Sequence, residues 1–139
     1  MKIFGVQDNE KNYIYRPGVY AIMVNNDRIA TVKSPLGYFL IGGGLETDEN
    51  PEECLKREAL EEVGHAIEIL EKLESVEEYV TVKSSGVSYL KHMTAFKAVM
   101  GKFVQLPIEI DHELVWLTKA EATESLFLEG QRYFVETYI

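Results

Sequence analysis

The sequence has little of what builds several common classes of protein. It contains one cysteine, Cys54, so no internal disulfide can form, and no Cys/His spacing typical of a zinc site is present. The longest unbroken apolar run, VYAIMV, is far too short to cross a bilayer, and the N-terminal residues lack the apolar run of a signal peptide. We therefore expect a cytoplasmic protein without a membrane partner, in which Cys54 is a packing residue.

Basic residues are also scarce. The chain has 14 Lys and Arg residues against 23 Asp and Glu residues, which gives a formal net charge of −9. No Lys/Arg-rich stripe is available to displace counterions, so duplex nucleic acid is excluded as a partner. An acidic protein can still bind a phosphorylated small molecule when divalent cations lie between its carboxylates and the phosphates.

The organisation of the chain predicts one domain over residues 1–139, because it shows no internal repeat, low-complexity tract or linker. Strands are predicted at Val19–Val24 and Arg28–Lys33, joined as a hairpin, then at Tyr38–Ile41, within Ile67–Lys83 and Val87–Val99, and at Leu114–Leu117. Three glycines after Ile41 predict a loop. Helices are predicted from Thr118 to about Leu126 and in the C-terminal GQRYFVETYI. This order indicates an α+β or layered α/β domain.

The central helix has clear start and stop signals. Asn50 is a side-chain cap, Pro51 suits the first helical position, and Glu52 and Glu53 follow near the positive end of the helix dipole. Gly64 supplies the stop.

The segment around this helix is unusually acidic. Eight carboxylates, offset only by Lys56 and Arg57, occur at Glu46, Asp48, Glu49, Glu52, Glu53, Glu58, Glu61 and Glu62. At about 100° per residue, Glu58, Glu61 and Glu62 form one patch on the helix. The patch borders the apolar stripe made by Leu55, Ala59 and Val63.

Two interpretations of this patch stay open on spacing alone. Like charges three and four residues apart destabilise a helix by about 0.2–0.5 kcal/mol per pair, so a bound cation would relieve the repulsion. Carboxylate ligands favour hard ions, Mg²⁺ or Mn²⁺. The alternative is a solvated acidic helix face, which is common. The adjacent glycines favour the metal, because they bring backbone groups close to the carboxylates.

The same residues resemble the Nudix box, which fixes seven residues and an intervening aliphatic position at set spacings. The matching positions are Gly43, Glu49, Arg57, Glu58, Ala59, Glu61, Glu62 and Gly64. The match covers 23 residues, Gly42 to Gly64. Ile41, Asp48 and His65 depart from the common pattern without removing a ligand.

The resemblance implies a Nudix-type α/β/α sandwich around a mixed sheet, and Mg²⁺-dependent hydrolysis of a nucleoside diphosphate linked to another group. It implies that Glu58, Glu61 and Glu62 ligate metal, with the Gly42 carbonyl as a further ligand. Gly43 and Glu49 would support the loop. The implied catalytic residues are Glu58, Arg57 and Glu113, where Arg57 holds the glutamates in place. Glu113 is favoured among Asp111, His112 and Glu113 as the acidic residue from a later loop, and the general base, Glu58 or that residue, stays open.

The substrate is less constrained. Lys33 is the preferred phosphate ligand, followed by Arg16 and Arg28, and Phe39 is one of several aromatic residues on which a base could stack. The absence of proline between Pro51 and Pro107 disfavours the ADP-ribose subgroup. A nucleoside triphosphate and a dinucleoside polyphosphate both stay open as substrate.

Two other functions remain as alternatives. One is a non-catalytic Nudix-like module that binds or senses a nucleotide, and the other is an acidic interaction domain without metal. The sequence leaves the oligomeric state open, and a homodimer is one of the alternatives.

Overall fold

The fold is described by a computed structural model that covers residues 1–139. The strands are β1 (Ile3–Phe4), β2 (Tyr13–Ile22), β3 (Val24–Asn25), β4 (Arg28–Ser34), β5 (Gly37–Gly44), β6 (His65–Thr81), β7 (Ser88–Phe103) and β8 (Glu113–Thr118). The helices are α1 (Pro51–Val63), α2 (Lys119–Ser125) and α3 (Glu129–Tyr138). The strand order is β1-β6-β7-β2-β5-β4-β3, with β8 also paired to β4. The β1–β6 and β2–β7 pairs are parallel and the others antiparallel, so the sheet is mixed as predicted.

Helices cover both faces of the sheet. On one face, α1 buries Leu55 and Val63 in a cluster that includes Ile41 of β5. On the other face, Phe134 of α3 is buried in a cluster that includes Leu40. Successive side chains of a strand point to opposite faces, so neighbouring residues of β5 enter different cores. Burial of each such side chain contributes about 1.5–3 kcal/mol to the stability of the fold. Because helices cover both faces of the sheet, the predicted α/β/α layering is confirmed.

The first predicted hairpin is confirmed, but its leading strand is divided. β2 starts at Tyr13 and ends at Ile22, and Val24–Asn25 forms the separate strand β3, which pairs with β4. The turn residues Asn26 and Asp27 have φ values of 51° and 61°, the left-handed conformation that two-residue hairpin turns require.

The prediction that three glycines end the third strand is wrong. β5 continues to Gly44, and its glycines pair with Gly18, Val19 and Tyr20 of β2. These backbone hydrogen bonds compensate for the weak strand preference of glycine. The close approach of the two strands also requires glycine at position 42, because a Cβ on Gly42 would overlap the carbonyl oxygen of Val19.

The predicted helices are confirmed at their starts. Thr118 caps α2 in a capping box with Glu121, as its position at the predicted start suggests. The C-terminal helix α3 begins at Glu129 and has no side-chain cap of its own. None of the three helices combines the length and the apolar character needed to span a bilayer.

Candidate active site

The acidic patch is carried by α1, whose ends are fixed by local signals. The Asn50 side chain accepts a hydrogen bond from the Glu53 amide at 2.9 Å, and Pro51 is the first helical residue. Gly64 ends the helix in the left-handed conformation, with φ of 73°. Both predicted boundaries are therefore confirmed.

Glu62 and Glu58 lie against the glycines of β5. The Gly42 amide donates a hydrogen bond of 2.9 Å to the Glu62 carboxylate, and Glu62 is only 7% exposed. Burial raises the pKa of Glu62 to about 9. At Gly43, an added Cβ would lie 2.6 Å from the carboxyl carbon of Glu58, so glycine leaves the space that this carboxylate occupies. The structure thus brings Gly42, Gly43, Glu58 and Glu62 together.

Arg57 offsets part of the negative charge of the patch. Its Nε and Nη2 donate to the two oxygens of Glu49 at 2.7 and 3.0 Å. Its Nη1 donates to Glu58 and Glu61, each at 3.0 Å, and Nη2 also reaches the Gly44 carbonyl at 3.2 Å. The bidentate hydrogen bonds from Arg57 lower the pKa of Glu49 to about 2. The guanidinium therefore holds loop and helix in one arrangement.

Glu58 and Glu62 are less well compensated than Glu49. Burial raises the pKa of Glu58 to about 7, against the lowering influence of Arg57, and the charges of Glu61 and Glu109 add to the rise. Glu62 accepts from the Gly42 amide but forms no salt bridge. Ionising these two carboxylates at neutral pH is therefore costly unless a further cation binds beside them.

The loop between β7 and β8 adds Glu109, which sequence reasoning missed, and His112, which was named but not favoured. The amides of Ile108 and Glu109 donate to the Glu61 carbonyl at 2.9 and 3.3 Å, which anchors the loop on α1. Ligand atoms of Glu62, Glu109 and His112 lie within 4.8 Å of one another, and His112 Nδ1 contacts the Glu109 carboxylate. The acidic segment EIDHE was the available signal, but no local pattern says which of its carboxylates turns inward.

The favoured loop residue, Glu113, lies elsewhere in that segment. It is exposed at the first position of β8, where it pairs with Lys33 of β4. Both residues line a shallow cavity with Ser34, Asp111 and His112. Lys33 is exposed, with its Nζ 5.9 Å from the Tyr38 ring centroid. The roles predicted for Glu113 and Lys33 stay predictions, and Glu109 is the loop carboxylate that meets Glu62.

The other predicted substrate ligands lie in different places, and Arg28 lies 4.0 Å from the Glu121 carboxylate. Phe39 packs against Phe127, with ring centroids 5.6 Å apart, and belongs to the border of the core under α3. Arg16 lines a second cavity, which we call the basic cavity. It has a volume of about 270 Å³ and is lined by Arg16, Gly18, Tyr20, Gly43, Gly44, Tyr89 and Lys91. The structure thus places Arg16, but not Phe39, beside the glycines of β5.

Comparison with known proteins agrees with this arrangement. The family model described as NUDIX domain matches residues 14–138. A GDP-mannose pyrophosphatase of Yersinia enterocolitica is 28% identical over 114 residues, which cover 80% of this chain and 58% of the relative. The chain therefore spans little more than half the length of that curated relative.

Solved structures share the fold along most of the chain. The Escherichia coli ORF135 protein has a TM-score of 0.70 at 24% identity, covering 91% of this chain and 89% of its own. A MutT protein from Methanosarcina mazei Go1 has a TM-score of 0.70 at 20% identity, with coverage of 91% and 94%. A MutT NUDIX hydrolase from Burkholderia pseudomallei has a TM-score of 0.62 at 27% identity, with coverage of 91% and 99%. Since the family model matches nearly the whole length, the chain belongs to the NUDIX domain family.

Proposed function

We propose that the protein is a hydrolase, dependent on a divalent cation, that cleaves a pyrophosphate linkage in a nucleoside diphosphate joined to another group. The observation that carries this proposal is the convergence of Glu58, Glu61 and Glu62 beside the β5 glycines, with Arg57 pairing only part of their charge. Burial of a carboxylate without a cationic partner costs free energy, so a patch with only a structural role would not be expected to bury Glu62.

The residues present fit a hard divalent cation. Glu58 and Glu62 offer buried carboxylate oxygens whose pKa values are raised to about 7 and about 9 by burial, so a cation would remove the cost of ionising them. Glu58, Glu61 and Glu62 would hold it, with Glu109 and His112 from the loop as further candidates. Such a cation would neutralise charge on phosphate oxygens and lower the pKa of a bound water. Mg²⁺ and Mn²⁺ suit this donor set best.

The chain's own residues would position and accept protons. Arg57 fixes the rotamers of Glu58 and Glu61 while it anchors Glu49, so the carboxylates are preorganised. Glu58, whose carboxylate lies against Gly43, would accept a proton from the attacking water. This gives Arg57 a positioning role and Glu58 a role as proton acceptor.

Family membership and charge support the proposed substrate class. In a protein with a net charge of −9, an anionic substrate is accommodated through the cation and through local basic groups such as Arg16. The Yersinia relative is named for GDP-mannose, a nucleotide sugar. Nucleoside triphosphates, dinucleoside polyphosphates and nucleotide sugars all contain the required linkage, and a substrate panel should include each.

The test is a turnover assay with Mg²⁺ or Mn²⁺ on that panel, scored by release of nucleoside monophosphate, phosphate or pyrophosphate. Glu58→Gln and Glu62→Gln should each lower kcat/KM on the best substrate by about a hundredfold or more. Glu52→Gln is the matched control, because Glu52 is exposed on the first turn of the same helix. Wild-type turnover in both site variants, or no turnover of any substrate despite metal and nucleotide binding, would contradict the proposal. The second result would favour a nucleotide-binding module.

A further inference from the structure

The basic cavity lies on the face of the sheet opposite to α1. A Cβ added at Gly43 would meet Glu58 of α1, whereas a Cβ added at Gly44 would lie 2.9 Å from Nε of Arg16. Neighbouring residues of a strand point to opposite faces, so Glu58 and Arg16 approach the same strand from its two sides. The absence of side chains at these glycines keeps both approaches open.

The parallel register of β2 and β7 places Arg16 directly beside Lys91. Like charges at opposed positions of a sheet destabilise it. Burial lowers the pKa of Lys91, and the charge of Arg16 lowers it further. Of the seven residues that line the cavity, two are cationic and none is acidic. In a chain with a net charge of −9, this pair of cations, neither of which forms a salt bridge, is a local exception whose repulsion an anionic ligand would relieve.

The carboxylate of Glu78 on β6, which pairs with Lys91 in the antiparallel register, is already engaged elsewhere. Glu78 acts on Lys91 through its charge, but its two carboxylate oxygens accept hydrogen bonds from the amides of Glu129 and Gly130 at 3.2 and 2.7 Å. Glu78 is 7% exposed and does not line the cavity. It therefore caps α3, and the cavity side of the two cations keeps its hydrogen-bond donors free for a ligand.

Two tyrosines define the shape and the surroundings of this cavity. Arg16 Cζ and Lys91 Nζ lie 6.0 and 5.9 Å from the ring centroid of Tyr89, so one aromatic ring positions both cations. Tyr20 is buried, and its hydroxyl lies 3.4 Å from a Cβ built on Gly18, another residue that lines the cavity. The phenol therefore offers a hydrogen-bond donor at the inner wall of the cavity.

We propose that the basic cavity is a phosphate-binding site, with Arg16 and Lys91 as its ligands and Tyr20 as a neutral donor at its inner wall. As a subsite for the substrate it rests on the hydrolase function proposed above, and it would hold a phosphate group other than those held at the glutamates. Arg16 supplies a planar set of donors and Lys91 a compact charge, a combination that suits a tetrahedral anion.

Calorimetric titration with inorganic pyrophosphate in the presence of EDTA tests the cavity by itself, because chelation removes any metal at the glutamates. The wild-type chain should bind. Arg16→Gln and Lys91→Met should each weaken binding by at least about tenfold, the loss of one charge-assisted hydrogen bond. Lys97→Met is the matched control, since Lys97 is exposed on β7 and does not line the cavity. Glu58→Gln should bind as the wild type does.

Absence of binding in the wild type, or equal binding in all variants, would overturn the proposal, as would loss of binding in Glu58→Gln. Thermal melts should show that each variant is folded. The substrate role is tested separately, through a KM increase of about tenfold in Arg16→Gln and Lys91→Met with a smaller change in kcat. An unchanged KM would overturn that role. If no substrate is turned over, the hydrolase proposal fails while the EDTA titration still decides whether the cavity binds phosphate.

Discussion

Replacement of Gly43 by alanine should damage catalysis without damaging the fold. An alanine Cβ at this position would lie 2.6 Å from Cδ of Glu58 and 2.7 and 2.8 Å from its oxygens. Carbon atoms in contact normally stay about 3.5–4.0 Å apart, so the carboxylate must move by about 1 Å. The atoms that must move belong to the far end of a flexible side chain, which keeps the cost in folding free energy below about 1 kcal/mol.

A displacement of about 1 Å in a catalytic group lowers rates by about a hundredfold. We therefore expect Gly43→Ala to lose about that factor in kcat/KM on the best substrate, while its melting temperature stays within a few degrees of wild type. The assay pairs steady-state kinetics with a thermal melt followed by circular dichroism.

Gly86→Ala is the matched control, because we expect it to lower stability without changing turnover. No atom lies within 4 Å of a Cβ added there, but the φ of Gly86 is 71°, so alanine is strained. It should destabilise the fold by about 1 kcal/mol and leave kcat/KM unchanged. If Gly43→Ala keeps kcat/KM within twofold of wild type, the proposed importance of the Glu58 position is refuted.

Three further predictions follow from other contacts. Glu78→Ala should lower the free energy of unfolding in urea by about 1–3 kcal/mol, because the amides of Glu129 and Gly130 lose their acceptor; an unchanged midpoint would contradict this. The pKa of Glu49 is lowered to about 2 by the hydrogen bonds from Arg57, so its contribution to stability is present above the ordinary pKa and is lost as the pH falls towards 2. Glu49→Gln should flatten stability against pH in that acidic range, and equal acid sensitivity of mutant and wild type would disprove the assignment. Removal of divalent cations by EDTA should abolish turnover, and Mg²⁺ or Mn²⁺ should restore it, whereas activity that persists in EDTA would exclude the proposed cation requirement.

The helix that carries the acidic patch was predictable because its signals are local. Asn50, Pro51 and Gly64 act through their own backbone and side-chain chemistry, which depends little on the rest of the fold. The convergence of Glu58, Glu61 and Glu62 also follows from helical geometry alone. The strand glycines were misassigned because their conformation is fixed by pairing with β2, a contact between distant segments.

Contacts between distant segments could not be predicted from the sequence, even where one partner, Arg16, was named. Arg16 meets Lys91 only through the parallel register of β2 and β7, and the neighbouring β6–β7 ladder is interrupted by bulges. No local pattern fixes such a register. The same limit applies to the loop before β8, where Glu109 rather than Glu113 turns towards Glu62, because the loop is anchored by hydrogen bonds to the Glu61 carbonyl.

The run of three glycines shows how one short sequence can serve two sites. Gly42 is required by the close backbone of β2, Gly43 by the carboxylate of Glu58, and Gly44 by the guanidinium of Arg16. Each position excludes a side chain for a different reason, and the groups that approach Gly43 and Gly44 lie on opposite faces of β5. Alanine at Gly43 should therefore disturb the acidic patch while the basic cavity stays intact, and alanine at Gly44 should do the reverse. Both variants should be measured for kcat and for pyrophosphate binding: Gly43→Ala should lower kcat, and Gly44→Ala should weaken pyrophosphate binding. Equal losses of both quantities in both variants would show that the strand responds as one unit.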